Sequence, residues 1–98
     1  MYARVVTFPG LRDRTRNRGG SRFREKVLPV ARAQAGFAGA YVLVDRRAGG
    51  RVLGITLWES EQAARAAGTA LDPLLAEAVH EPGVPPPVAE LYEVVEQG

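Results

Sequence analysis

From Tyr2 to Phe8 the chain is rich in aromatic and β-branched residues (Tyr2, Val5, Val6, Thr7, Phe8), a composition that favours an extended strand, and Pro9-Gly10 stops it. Gly19-Gly20-Ser21 then offers a helix N-cap. Phe23, Val27, Val30 and Ala31 recur at i, i+4, i+7 and i+8, so they share one face of a helix predicted over about 22 to 35. Pro29 cannot donate to the carbonyl of Glu25, which places a kink or local break between Glu25 and Pro29. Gly36 is expected to end this helix as a left-handed residue in a Schellman motif, with Phe37 folding back onto the last turn.

Two strand-like runs follow, 40–45 and 51–58, joined by Arg46-Arg47-Ala48-Gly49-Gly50 as an antiparallel hairpin. Ser60 caps a second helix across Glu61 to Ala67, which Gly68-Thr69 is expected to end or weaken. Asp72-Pro73 then reads as the N-cap and first residue of a new short helix through Val79. The Pro-rich link 81–87 cannot be regular helix, and a last strand is predicted over 88–95. The order β-α-β-β-α-β in 98 residues predicts an α+β fold of the ferredoxin-like type, a single domain over 1–98 with a four-stranded antiparallel sheet and both helices on one face.

Alternation within the central hairpin adds a constraint. Leu53, Ile55 and Leu57 point to one side of their strand, while Val52, Gly54, Thr56 and Trp58 point to the other. Tyr41 and Leu43 likewise oppose Val42 and Val44. Both sheet faces are therefore largely apolar, and two helices can cover only one of them. A second copy packing sheet against sheet would cover the other and enclose an apolar cavity, so a homodimer through the sheet face is expected. Composition agrees, because 15 of the hydrophobic residues are alanine and the large side chains are few for a monomer of this size.

The absence of cysteine removes disulfides, thiol nucleophiles and Cys-based metal sites, and the single histidine, His80, makes a metal site within one chain unexpected. No signal-peptide pattern and no apolar run of roughly 18 residues is present, so a cytoplasmic location without a membrane partner is expected. The net charge of +2 conceals an asymmetry: residues 1–32 hold nine Arg or Lys against two acids, and residues 33–98 hold four Arg against nine acids. Arg12, Arg14, Arg16 and Arg18 form the densest part of the basic segment and are candidates for an anion-attracting rim. Nucleic acid is not the expected partner, since RNA-binding sheets of this topology expose aromatics on the third strand and Val52 to Leu57 has none.

Leu28-Pro29, Gly36-Phe37-Ala38-Gly39, Asp45 with Gly49-Gly50, and Trp58-Glu59-Ser60 with Ala63-Ala64 together resemble the antibiotic biosynthesis monooxygenase-like (ABM) family of the dimeric α/β-barrel superfamily. The resemblance spans nearly the whole chain and rests on mainly structural motifs. It implies a homodimeric α/β barrel with one pocket per subunit and a small apolar or aromatic ligand. It also implies cofactor-independent monooxygenase activity, in which the substrate anion reduces O₂ directly and neither cofactor nor metal is needed. By the same resemblance Trp58 lines the pocket. Gly54 stands where the oxygenase branch has an asparagine, and so offers no side chain to orient an anion. Thr7 and the Gly68-Thr69 region stand where haem-degrading members carry an asparagine and an axial histidine, so haem degradation is not expected.

The pocket candidates are thus Trp58, Tyr41, Tyr92 and Thr7, the tyrosines as phenols able to hydrogen-bond a ligand oxygen. The alternative function is a non-enzymatic small-molecule-binding or assembly module of the same fold, with these residues as ordinary packing.

Overall fold

A computed structural model describes residues 1–8, 23–47, 51–78 and 89–98. Strand β1 (Tyr2–Phe8) leads to a π-helical turn, Phe23–Val27, which runs directly into helix α1 (Leu28–Arg32). Strands β2 (Phe37–Val44) and β3 (Val52–Trp58) form a hairpin, helix α2 (Glu61–Ala78) follows, and β4 (Ala89–Glu93) completes the sheet. The strand order is β2-β3-β1-β4 with every pairing antiparallel, the arrangement expected from the sequence.

The expected break near Pro29 takes a specific form. The helix is widened over Phe23–Val27 and becomes regular only at Leu28, so that Pro29, with no N–H to donate, falls in the first turn of α1. The C-terminal end differs from the Schellman motif. The α-helix stops at Arg32, and the chain continues in i→i−3 bonds from Ala33 to Val30, Gln34 to Ala31 and Phe37 to Gln34. Gly36 does adopt the left-handed conformation, with φ of 84°. Phe37 packs edge-on to Trp58, with ring centroids 5.6 Å apart.

Helix α2 is a larger correction. Gly68-Thr69 does not end it and Asp72-Pro73 does not restart it; the helix is continuous from Glu61 to Ala78 with Pro73 inside. An interior proline costs a helix about 3 kcal/mol. Burial of Leu71 and Leu75 on either side of it, each worth about 1.5–3 kcal/mol, keeps the segment against the sheet. The cap at Ser60 forms as expected, its Oγ accepting the Ala63 N–H at 3.1 Å.

The core lies between sheet and helices. Val6, Phe8, Val52 and Trp58 from the sheet meet Val27, Leu28, Ala31, Ala64, Ala67, Leu71 and Leu75. Cross-strand partners Tyr41 and Ile55, Leu43 and Leu53, and Ala3 and Tyr92 share the opposite face. Among the described residues no helix packs on that face, and Tyr41 and Tyr92 are 58% and 51% exposed on it.

Candidate functional site

Trp58 closes β3 on the helix-facing side and is fully buried. The register opposes it to Tyr2 on β1 and Phe37 on β2. Between Phe37 and Gly39 the register shifts, placing one extra residue on β2 opposite the end of β3. The indole N–H donates to Thr56 Oγ1 at 2.9 Å, two residues earlier on the same face. Gly54, the next inward position, is also buried, as is Val52.

A cation enters this otherwise apolar layer. Arg4 lies directly opposite Thr56 and shares the inward side of β1 with Val6 and Phe8. Its side chain is 10% exposed, and Nη2 is paired with the carboxylate of Asp72, itself 60% exposed. Nη1 makes a long contact of 3.4 Å to the carbonyl of Ala64. Ala64, Gly68 and Asp72 stand at intervals of four residues, so one side of α2 faces the guanidinium. A Cβ on Gly68 would lie 2.9 Å from Nη1 and 3.2 Å from Asp72 Oδ2. The glycine that reads as a helix end is the opening through which Arg4 reaches Asp72, and the aspartate that reads as a cap is its partner.

The four pocket candidates from the sequence divide between the two faces. Trp58 is inside the sheet–helix layer, whereas Thr7, Tyr41 and Tyr92 lie on the opposite sheet face, beside Leu53, Ile55 and Ala3. The single chain therefore does not bring all four together. The Tyr92 hydroxyl donates to Glu90 at 2.8 Å and the Tyr2 hydroxyl to Glu93 at 3.1 Å. Both phenols are raised above their ordinary value, first by the hydrogen bond to the carboxylate and then by its negative charge. Arg12, Arg14, Arg16, Arg18 and His80 lie outside the described residues.

Two surface clefts flank the start of α2. A groove of about 410 Å³ runs between Gln34-Ala35-Gly36 and Ser60, Ala63 and Ala67. A more open one of about 900 Å³ is bounded by Tyr2, Glu59, Glu61 and Arg65. Neither is lined by Trp58, Thr7, Tyr41 or Tyr92. Among the described residues no group of three or more His, Cys, Asp or Glu is placed to hold a metal ion, and no helix is long and apolar enough to cross a membrane.

Arg4, Thr56 and Asp72 are the polar residues of this layer that sequence reasoning missed. The available signal was parity: Arg4 is an even-numbered residue in a strand whose Val6 and Phe8 point inward.

The sequence matches no protein-family model and no curated protein. Among solved structures, the chain is similar to a monooxygenase, ActVA-Orf6 of Streptomyces coelicolor, in complex with the ligand nanaomycin D. The TM-score is 0.73 at 25% identity, covering 98% of this chain and 88% of that one. SnoaB, a cofactor-independent oxygenase from Streptomyces nogalater, superposes with a TM-score of 0.69 at 16% identity, covering 98% and 93%. A candidate antibiotic biosynthesis monooxygenase from Nitrosomonas europaea gives 0.65 at 14% identity, covering 98% and 100%.

Proposed function

We propose that this ABM-like chain is a cytoplasmic homodimer that binds a small aromatic molecule and oxygenates it without a cofactor. The supporting observation is the likeness to ActVA-Orf6, a monooxygenase, which extends over nearly the full length of both chains at 25% identity. The sheet face turned away from α1 and α2 supports the dimer: Val5, Leu43, Leu53, Ile55 and Leu57 form an apolar surface, and a second copy would cover it. Thr7, Tyr41 and Tyr92 then belong to the space between the two sheets. Trp58 belongs to the layer between sheet and helices.

In this chemistry an electron-rich aromatic, such as a hydroquinone, loses a proton, and the resulting anion reduces O₂ directly. One oxygen atom is retained in the product and the other leaves as water, with the substrate supplying the electrons. The chain's contribution is to bind and orient the ring, exclude water and stabilise the anion. Arginines 12, 14, 16 and 18 attract anionic substrates to the site.

A second reading, a non-enzymatic binding or assembly module of the same fold, is favoured by Gly54 and by the fully buried, hydrogen-bonded Trp58. Oxygen uptake and product formation with a panel of hydroquinones separate the two. The proposed reading expects enzyme-dependent uptake that falls in Trp58→Phe; uptake no faster than the buffer rate with every hydroquinone would leave the module. Sedimentation velocity tests the dimer independently, with Ile55→Lys expected to yield monomers.

A further inference from the structure

We propose that Arg4 is an anion-holding residue, and that the small aromatic ligand it selects carries a carboxylate. The inference rests on the reading of the chain as a binder of small aromatic molecules and narrows that reading to a chemical class.

Arg4 is an expensive residue to place where it stands. Apart from Thr56 and Tyr2, whose hydroxyl bonds Glu93, the other side chains on the inward face of β1 and β3 are apolar, and removing a guanidinium from water is offset only in part by a single carboxylate. The surrounding chain is shaped to admit it. Gly68 lacks the Cβ that would meet Nη1 at 2.9 Å, although a glycine in a helix interior weakens the helix. A purely structural clamp between β1 and α2 would gain more from apolar packing.

Its hydrogen-bonding capacity is incompletely used. A guanidinium has five N–H donors; Nη2 serves Asp72 and Nη1 makes the long contact to Ala64, while Nε–H meets no acceptor among the described residues. Directly across the strands, Thr56 is 3% exposed and its oxygen accepts from Trp58. The Thr56 hydroxyl proton likewise meets no acceptor among the described residues. Two buried donors on adjacent strands and the same face are therefore available to an anion.

The counterion is arranged to be displaced. Arg4 is nine-tenths buried whereas Asp72 is 60% exposed, so the pair runs from the interior to the surface. A ligand carboxylate approaching from that side competes with a carboxylate that water already solvates. Replacing Asp72 by a bidentate ligand conserves the charge balance of the layer.

Isothermal titration with 1-naphthoate and its neutral counterpart 1-naphthalenemethanol tests this on the full chain. The indole resonance of Trp58, the only tryptophan, reports whether the layer is affected. The expected result is tighter binding of 1-naphthoate than of the alcohol. In Asp72→Asn, 1-naphthoate binding tightens several-fold with the alcohol unchanged, because the competing carboxylate is gone. In Arg4→Met the preference for the acid falls by about tenfold or more. Should Arg4→Met fail to fold, Asp72→Asn decides alone, since a structural clamp would lose stability in that variant without gaining affinity. Equal affinity for both probes, or 1-naphthoate binding unchanged in Asp72→Asn, would overturn the inference while leaving the aromatic-binding reading intact. Binding of neither probe would overturn both.

Discussion

Gly36 and Ala63 approach so closely that a Cβ added to the glycine would lie 2.6 Å from the Cβ of the alanine. This contact seats the start of α2 against the turn that follows α1, and the backbone bond from Glu59 N–H to the Gly36 carbonyl, 2.9 Å, fixes the same junction. Gly36 is also left-handed, with φ of 84°. Gly36→Ala therefore combines backbone strain with overpacking, and a loss of about 2 kcal/mol or more is expected by chemical denaturation. Adding Ala63→Gly removes the collision but not the strain. The double variant should be more stable than the sum of the single changes allows, and a simple sum would show that the two residues do not share the contact.

Thr56→Val keeps the shape of the side chain and removes the acceptor of the Trp58 indole N–H. With the ring fully buried, water cannot replace the lost acceptor. The expected destabilisation is about 1–3 kcal/mol, a fall in Tm of several degrees for a domain of this size. A shift in the fluorescence of the single tryptophan should accompany it. Unchanged stability would mean that the indole finds another acceptor in solution.

The two carboxylate-bonded phenols give a pH dependence with a definite sign. Tyr2 and Tyr92 are raised above the ordinary 10.0 because Glu93 and Glu90 accept from the neutral phenol and repel the phenolate. A raised value in the folded state means that these bonds contribute fully below pH 10 and are lost as the pH climbs through the raised values. Spectrophotometric titration of tyrosinate should therefore show two phenols ionising late. Glu93→Gln and Glu90→Gln should each return one of them toward the ordinary value. If either substitution leaves the titration unmoved, the corresponding hydrogen bond is not formed in solution.

Much of the architecture is legible in local pattern. The alternation in Val52 to Trp58 identifies the two faces of β3, Ser60 marks the start of α2, and Pro29 marks the change from widened to regular helix. The errors fall where a tertiary contact overrides a local signal. Gly68 and Asp72-Pro73 carry the residues of a helix end and a helix start, yet they lie within one helix because the first makes room for Arg4 and the second binds it. That interaction spans 68 residues of sequence, beyond the reach of any window of periodicity. The division of the pocket candidates has a related cause. Trp58, Tyr41 and Tyr92 are each readable as strand aromatics, but their relative facing depends on register across three strand pairs.

The pairing of β1 with both β3 and β4 also dictates when the molecule can assemble. Tyr2 is registered against Glu93, and Val94 N–H donates to the Met1 carbonyl at 2.8 Å, so β1 is completed by a strand synthesised much later. During translation β2 and β3 can close as a local hairpin, whereas β1 must wait with one edge open until residues 89–93 have left the ribosome exit tunnel. Sheet closure in the nascent chain is thus late, and chaperone contact or truncation before Ala89 would act on a species whose central strand is still half paired.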